Sequence, residues 1–486
     1  MNSNSLLSEE IMITYSSIRF RFFSLLLVGL FYSLSPKSEL FAIDGLTRNA
    51  NNARYEGLAG TNTALGGSAI DVTLNPANLS LKKGRVLEFG FTNSTINTRY
   101  QDQFLDKDQK NIYSNDVKST LNAPAPYIAF KTPITDNIDY GVAFYVPGGA
   151  AGGVDKILRN TPNGQNTNEW SGLNLVSPLG DSRQIRESNS NQFAVVKLVN
   201  GISVKFGNLS LGASIEGLYG YQRLNQKYYD VTGNIEIPGQ GYYYESSKKA
   251  FSLGGILGAN YTVNDWVRIG YSYQAHSSLP LDGGYTIGVN NPNYYRKTGV
   301  SYHFNLPEKH SLGFAFGPEG IKLAIDFVYS NYGSYLRKAN QTLEDPWLPT
   351  PLGNIASADA HLNFRDQGGV QLGLEHKLNE TWTYRLGYSY NNLLIKSNGL
   401  GGTTGGFFSI HHVFAGGFSY TFDTWSIDLG ASYNAPRNKI YGGKGTDWDL
   451  SHAIKTGPTE FNGLGYSYNA ESTFLNVTLG ATKKFE

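Results

Sequence analysis

From Trp382 to Tyr390 the chain alternates strictly. Trp382, Tyr384, Leu386, Tyr388 and Tyr390 carry one side; Thr383, Arg385, Gly387 and Ser389 carry the other. Successive side chains of a strand point to opposite faces, so this stretch makes a ribbon with one apolar face and one polar or small face. The split returns at Leu209–Tyr219, Val267–Ala275, Ile321–Tyr329 and Trp425–Tyr433. It returns at the end, where Leu475, Val477, Leu479 and Phe485 oppose Asn476, Thr478, Gly480 and Thr482. A period of two over so many segments predicts an all-β chain. It leaves a sandwich or barrel in water and a barrel in a membrane as the two architectures.

Composition separates the two. Only 16% of residues are charged, whereas Gly numbers 56 and Tyr 33. The polar faces are therefore Gly- and Ser-rich, which suits a crowded lumen better than a solvated surface. Trp266, Trp382 and Trp425 begin strands, while Tyr271, Tyr273, Tyr388 and Tyr390 lie toward the far ends. Aromatic girdles at the two interfaces of an outer-membrane barrel have this arrangement. A secreted sandwich or barrel is the alternative. The net charge of +1 gives no field to attract nucleic acid, and the absence of cysteine excludes disulfides and thiolate metal sites.

The N-terminus predicts export. Arg19 and Arg21 precede the apolar run Phe22–Leu34, and a small residue, Ala42, closes the segment. This fits a cleaved signal peptide over residues 1–42, with a buried core helix as the alternative. The polar leader before Arg19 suggests translation from Met12, and a precursor beginning at Met1 would refute that. Nothing after Leu34 is apolar enough for a spanning helix, so a membrane must be crossed by strands.

Between the signal and the first strand, Asn51–Leu81 follows neither a helical nor a strand period and is rich in small residues. A compact piece ahead of a long strand array predicts a plug over residues 43–83 and a barrel over 84–486. Short turns at Thr135–Asn137, Phe206–Asn208, Val263–Asp265, Gly317–Gly320, Leu378–Thr381 and Phe422–Thr424 alternate with long loops. The loops are expected near 101–123, 149–190, 229–248, 279–298, 335–364, 394–409 and 437–470. Counting connections gives a transmembrane antiparallel β-barrel of about fourteen strands, its short turns periplasmic. A near-terminal aromatic, Phe485, fits such a barrel, although Glu486 follows it.

Several segments together resemble the FadL/TodX-type outer-membrane transporters. Asn75-Pro76-Ala77 is similar to that family's hatch element, with Gly57-Leu58-Ala59-Gly60 in the small-residue part before it. Asn264–Tyr273, the Leu306-Pro307 segment before Leu312-Gly313, and Leu378–Tyr390 resemble its turns and strands. The resemblance implies a fourteen-stranded barrel in the bacterial outer membrane, closed by an N-terminal hatch. It implies passive, ligand-gated uptake of long-chain fatty acids or other hydrophobic compounds, leaving sideways through a gap at a kinked strand. The partners are then apolar small molecules and membrane lipid, and the chain is expected to be a monomer without cofactor. The alternative is a surface adhesin or structural barrel that binds external molecules through its long loops, 437–470 especially. An open porin fits less well, because the plug would occlude it.

Candidate sites follow. Asn75, Pro76 and Ala77 would form a rigid corner of the hatch, or an ordinary turn into the first strand. Pro147, Gly148 and Gly149 would kink the third strand, or merely end it. Glu88, Glu216, Arg268, Lys322, Asp326, Glu375, Arg385 and Asp428 fall on polar faces and would enter the lumen. There they would pair with one another or with Arg54, Glu56 and Asp71 of the hatch. Of these, Arg268, Lys322 and Arg385 are the cations that could hold a carboxylate. The loop residues Ala150, Ala151, Val154, Ile157, Leu158, Trp170, Leu173, Leu175 and Val176 are apolar, and would form a docking groove or pack together. His411 and His412 are adjacent on a strand and would point oppositely, against a metal site. No nucleophile–base arrangement or phosphate loop suggests an enzyme.

Overall fold

A computed structural model describes residues 48–105, 111–161, 165–237, 243–288, 296–318, 320–335, 338–343, 357–361, 365–392, 412–434, 440–442 and 466–485. The predicted signal peptide lies outside them. So does most of the 437–470 segment on which the adhesin reading rests.

The strands close into a fourteen-stranded antiparallel barrel. In chain order they are β1 (Arg85–Leu105), β2 (Asn111–Thr135), β3 (Ile138–Asn160), β4 (Gln184–Phe206), β5 (Leu209–Tyr229) and β6 (Tyr243–Asn264). Then come β7 (Val267–Gln274, resuming Ser277–Gly288), β8 (Arg296–Leu306, resuming Lys309–Phe316), β9 (Ile321–Ser330, resuming Lys338–Leu343) and β10 (Ser357–His361, resuming Gln367–Lys377). The last four are β11 (Trp382–Asn391), β12 (His412–Phe422), β13 (Trp425–Asn434, resuming Ile440–Gly442) and β14 (Tyr466–Phe485). Closure is by β1 on β14, from Arg85↔Phe485 to Phe104↔Tyr466.

The outer surface of the lower half is apolar. Leu198, Ile202 and Phe206 of β4, Leu211 and Ile215 of β5, and Phe251, Leu253 and Leu257 of β6 are all exposed, Phe251 at 77%. Their neighbours Val199, Ser203, Ser210, Ser214 and Glu216 are buried on the other face. Side chains of this size are left outside only where lipid covers them. Tyr271 and Tyr388 mark the outer edge of the band, bonded to His310 (2.8 Å) and His412 (2.9 Å). The breaks in β7, β8 and β9 lie at this same height, since Lys309 pairs with both Gln274 and Ser330. The Leu306-Pro307 segment therefore marks the outer rim.

Several expected loops prove to be strand. β1 and β2 run on through 101–105 and 111–123, β3 reaches Asn160, and β7 reaches Gly288. These extensions stand above the lipid, where Arg99 and Asp116 pair on the exposed face at 2.6 Å. With water outside, neither face must be apolar, so the alternation that marks the lower half is absent.

Residues 48–83 lie inside the barrel. They form helix α1 (Ala53–Glu56) and two 3-10 helices, Ala69–Thr73 and Pro76–Leu81. Asn52 caps α1 by accepting the Tyr55 N–H at 2.9 Å, the usual work of a short polar side chain at that position. Tyr55, Leu58, Ala64, Ile70, Val72 and Leu79 are fully buried. They form one core with Val86, Tyr127, Ala129, Tyr145, Val199 and Ala324 of the wall. The chief apolar core of the lower lumen is thus the seam between plug and barrel.

Candidate functional site

A girdle of inward glycines makes room for the plug. They sit at matching heights, with Gly141 opposite Gly201, Gly212 opposite Gly258, Gly270 opposite Gly313, Gly373 opposite Gly387 and Gly417 opposite Gly430. A Cβ on Gly387 would lie 2.3 Å from the Leu58 carbonyl carbon, and one on Gly270 2.2 Å from the Thr63 oxygen. The plug backbone therefore rests directly on the wall backbone, at distances no side chain allows. The sequence shows seven of these ten glycines as Leu-Gly or Ile-Gly pairs within strands. Only the ladder shows that they share one level.

Asn75, Pro76 and Ala77 form the corner pressed on β4–β6. Asn75 caps its helix by accepting the Ala77 N–H (3.2 Å), and its amide donates to Thr63 O (2.8 Å) and to Ala259 O of β6 (3.2 Å). Ser203 of β4 donates to Ala77 O at 3.1 Å. Pro76 and Ala77 lie over Gly212, whose Cβ would meet them at 2.4 Å. One asparagine thus ties two turns of the plug to the wall, with both amide functions used.

Several lumen charges are engaged in pairs, and others accept from neutral donors. Arg54 of the plug grips Glu375 of β10 through Nε and Nη2, both at 2.8 Å. Arg385 of β11 bonds the same carboxylate at 2.7 Å and Asp428 of β13 at 3.0 Å. Arg48 pairs with Glu56 at 2.9 Å, and Lys197 with Glu216 at 2.9 Å. Glu88 accepts from Asn52 and Ser68, while Asp326 accepts the Asn62 and Thr63 N–H groups at 2.8 Å each. Inside the plug, Tyr55 donates to Asp71 at 2.5 Å. Burial pushes that carboxyl up to about 6, against the hydrogen bonds from Tyr55 and Ser68. Arg268 shares the lumen face of Gly270. Lys322 departs from the expectation: its ammonium donates to Gly317 O at 2.5 Å and so caps the periplasmic turn.

Between β2 and β3 the ladder stops partway up the wall. β2 and β3 pair from Thr135↔Ile138 up to Tyr127↔Tyr145, and just above this the register of β3 on β4 slips at Val146 and Pro147. Above, β3 pairs only with β4, until the Asn115 side chain bridges to the Leu158 backbone at 2.7 and 3.1 Å. Residues 116–126 of β2 and 146–157 of β3 thus face each other with no ladder between them. Pro124 and Pro126 lie on this edge of β2, opposite Asn93 and Phe91 of β1. Proline has no N–H, so a strand already paired on one side tolerates it only where the nitrogen faces the unpaired side. Sequence reasoning found Pro147 and missed these two, although Ala-Pro-Ala-Pro within a strand is itself the signal. The Arg48 N–H donates to Pro147 O at 2.6 Å, which places the start of the plug at the bulge.

Above the plug, β4–β8 present an apolar inner wall. Phe193 of β4 and Phe304 of β8 approach to 4.5 Å between ring centroids, with Val195, Leu218, Leu279 and Leu281 buried around them. Among the expected groove residues, Val154 and Ile157 are buried and Leu173 packs on Ile185, Tyr228 and Ile237, whereas Val176 is exposed. The side chains of Ala150, Ala151 and Trp170, and all of His411, lie outside the described residues. His412 is bonded to Tyr388.

A plugged fourteen-stranded barrel has counterparts. Residues 202–474, more than half of the chain, match the model of the outer membrane protein transport protein family (OMPP1/FadL/TodX). The chain belongs to this family. Its members are transport proteins of the outer membrane, where this barrel therefore resides. Among solved structures it is similar to a Pseudomonas aeruginosa FadL homologue at 16% identity, with a TM-score of 0.64 over 91% of this chain and 100% of that one. It is also similar to the Pseudomonas putida toluene transporter TodX (16%, TM-score 0.60, 90% and 99% covered). The Ralstonia pickettii toluene transporter TbuX gives 17%, TM-score 0.56, and 90% and 99% covered. At these identities the likeness concerns the fold. No curated protein matches the sequence.

Proposed function

We propose that this FadL/TodX-family barrel carries hydrophobic molecules across the outer membrane passively. A ligand enters along the apolar inner wall of Phe193, Leu218, Leu279, Leu281 and Phe304, passes the upper face of the plug, and leaves between β2 and β3 into the bilayer. The observation that carries this reading is the unladdered edge at Pro124, Pro126 and Pro147, beside a lumen stoppered below. The plug closes the straight route to the periplasm, so a sideways exit is the one left to an apolar solute. The Arg48 contact at Pro147 gives plug and exit a shared element, through which ligand could shift the plug. In this reading Asn75, Pro76 and Ala77 hold the plug to the wall, and Arg385 holds it through Glu375. Long-chain fatty acids are one substrate class, from the family resemblance. Monoaromatic hydrocarbons are another, from the toluene transporters that share the fold.

Uptake of labelled oleate and of toluene by cells with and without the gene tests the proposal. A gene-dependent rate for either is expected. Equal rates for both compounds, with the barrel verified in the membrane, would refute it. Large steady conductance of the purified protein in planar bilayers would indicate an open pore instead.

A further inference from the structure

Beside β12–β14 the lumen changes character. A cavity with room for about one water molecule lies between plug and wall, lined by Arg48, Asn49, Ala50, Val413, Ser432 and Asn476 among others. Several polar atoms around it have no hydrogen-bond partner: both side-chain atoms of Asn49, Oδ1 of Asn476 and Nε of Arg48. One rung higher on β13 is Asn434. It is 1% exposed, neither amide atom is bonded, and its ladder neighbours are Val413 and Phe474. Two strands away on the same row, Ser389 is fully buried and its hydroxyl is unbonded. Buried polar atoms are rarely left without partners, and a cluster of them marks a place where something polar fits.

The charge of the place is already balanced. Arg48 and Glu56 form a buried pair at 2.9 Å, and Glu56 also accepts from Ser432 (2.5 Å) and Asn476 (3.2 Å). A carboxylate entering here would sit beside Glu56 with the local cation already matched. An apolar cluster adjoins the place. Val413, Phe474, Ile96 and Ala123 form one buried cluster with Leu121. That cluster runs from Asn434 to β2, whose residues 116–126 edge the gap.

We infer that this slot takes an uncharged hydrogen-bonding group, a hydroxyl or carbonyl, at the end of an otherwise apolar molecule. It thereby selects neutral amphiphiles over carboxylates. The small polar cavity accepts the head, Asn434 and Ser389 offer donors and acceptors on the way, and the Phe474–Ile96–Ala123 surface takes the body toward the gap. The inference rests on the transport reading and narrows its substrate class.

Binding of three matched compounds to the purified full-length protein, by calorimetry at neutral pH, tests it. They are 4-ethylphenol, ethylbenzene and the anion 4-ethylbenzoate. The phenol is expected to bind about tenfold tighter than the hydrocarbon, because a site built to hydrogen-bond penalises a ligand that cannot. The benzoate should compete weakly. In Asn434→Leu the ratio of phenol to hydrocarbon affinity should fall toward one. Equal affinity for phenol and hydrocarbon in the wild-type protein would mean the slot holds ordered water only, and would overturn the inference. A benzoate as tight as the phenol, or an unchanged ratio in a folded Asn434→Leu barrel, would overturn it as well. The wild-type comparison decides even if that variant does not fold. Gene-dependent uptake of ethylbenzene without phenol preference would overturn this inference alone. No binding of any of the three compounds would overturn the transport reading with it.

Discussion

Substituting Gly387 by alanine adds one carbon at a tight point of the plug seam. That carbon would lie 2.3 Å from the Leu58 carbonyl carbon and 2.4 Å from the Ala59 nitrogen. Ordinary contact begins near 3.4 Å, so plug or wall must move by roughly 1 Å. The obstacle is backbone, and no change of rotamer relieves it. Overpacking of this kind costs about 1–3 kcal/mol, and it acts on the closed state of the plug rather than on the barrel ladder. Gly416 supplies the control, on the neighbouring strand and one residue out of phase. A Cβ there would come no nearer than 3.8 Å to anything. The chain has no cysteine, so Thr61→Cys, at a fully buried plug position, gives a single reporter thiol. Its maleimide labelling follows the population of the opened plug. With Gly387→Ala, labelling should quicken by roughly 5- to 150-fold, each 1.4 kcal/mol being a factor of about ten. Gly416→Ala should label at the parent rate. A correctly folded Gly387→Ala barrel labelling as slowly as its parent would refute the claim that missing Cβ atoms seat the plug.

Other consequences can be measured in the same protein. Arg54→Ala leaves Glu375 with Arg385 alone and removes a two-point clamp; it should loosen the plug by about 1–3 kcal/mol, read as faster labelling at Thr61→Cys with barrel melting little changed. The double variant Pro124→Thr/Pro126→Thr returns two N–H donors to the free edge of β2. Uptake of apolar solutes should fall while the amount of folded barrel stays the same, and undiminished uptake would argue against exit between β2 and β3. Asp71, with its carboxyl raised to about 6 in the folded plug, binds more protons folded than unfolded between roughly pH 4 and 6. Its ionisation therefore opposes plug closure above that range, and acidification from pH 7 to 5 should slow labelling by more than the loss of thiolate slows an exposed reference thiol. Asp71→Asn should remove that part of the pH dependence.

The lower strands were legible because lipid imposes a strict rule on them. One face must be apolar, so the period of two is written into Leu211–Ile215 or Trp382–Tyr390 without reference to any other part of the chain. The short turns and the strand number followed from the same pattern. The upper halves of β1–β3 and β7 were not legible, because water outside places no such demand on Arg99 or Asp116. At the site, the sequence singled out Asn75-Pro76-Ala77, Pro147 and the polar-face charges, of which Lys322 instead caps a turn. Pairing choices such as Arg54 with Glu375, 321 residues apart, could not be read from it.

What the sequence determined by itself is local: which face of each strand is apolar, where the chain turns, and where proline forbids a donor. Which glycines line up into a girdle, which edge the prolines leave bare, and where an asparagine remains without a partner were decided only by the folded barrel. Those properties depend on register between strands and on the plug filling the space they enclose, and neither distance nor vacancy is encoded in any single segment.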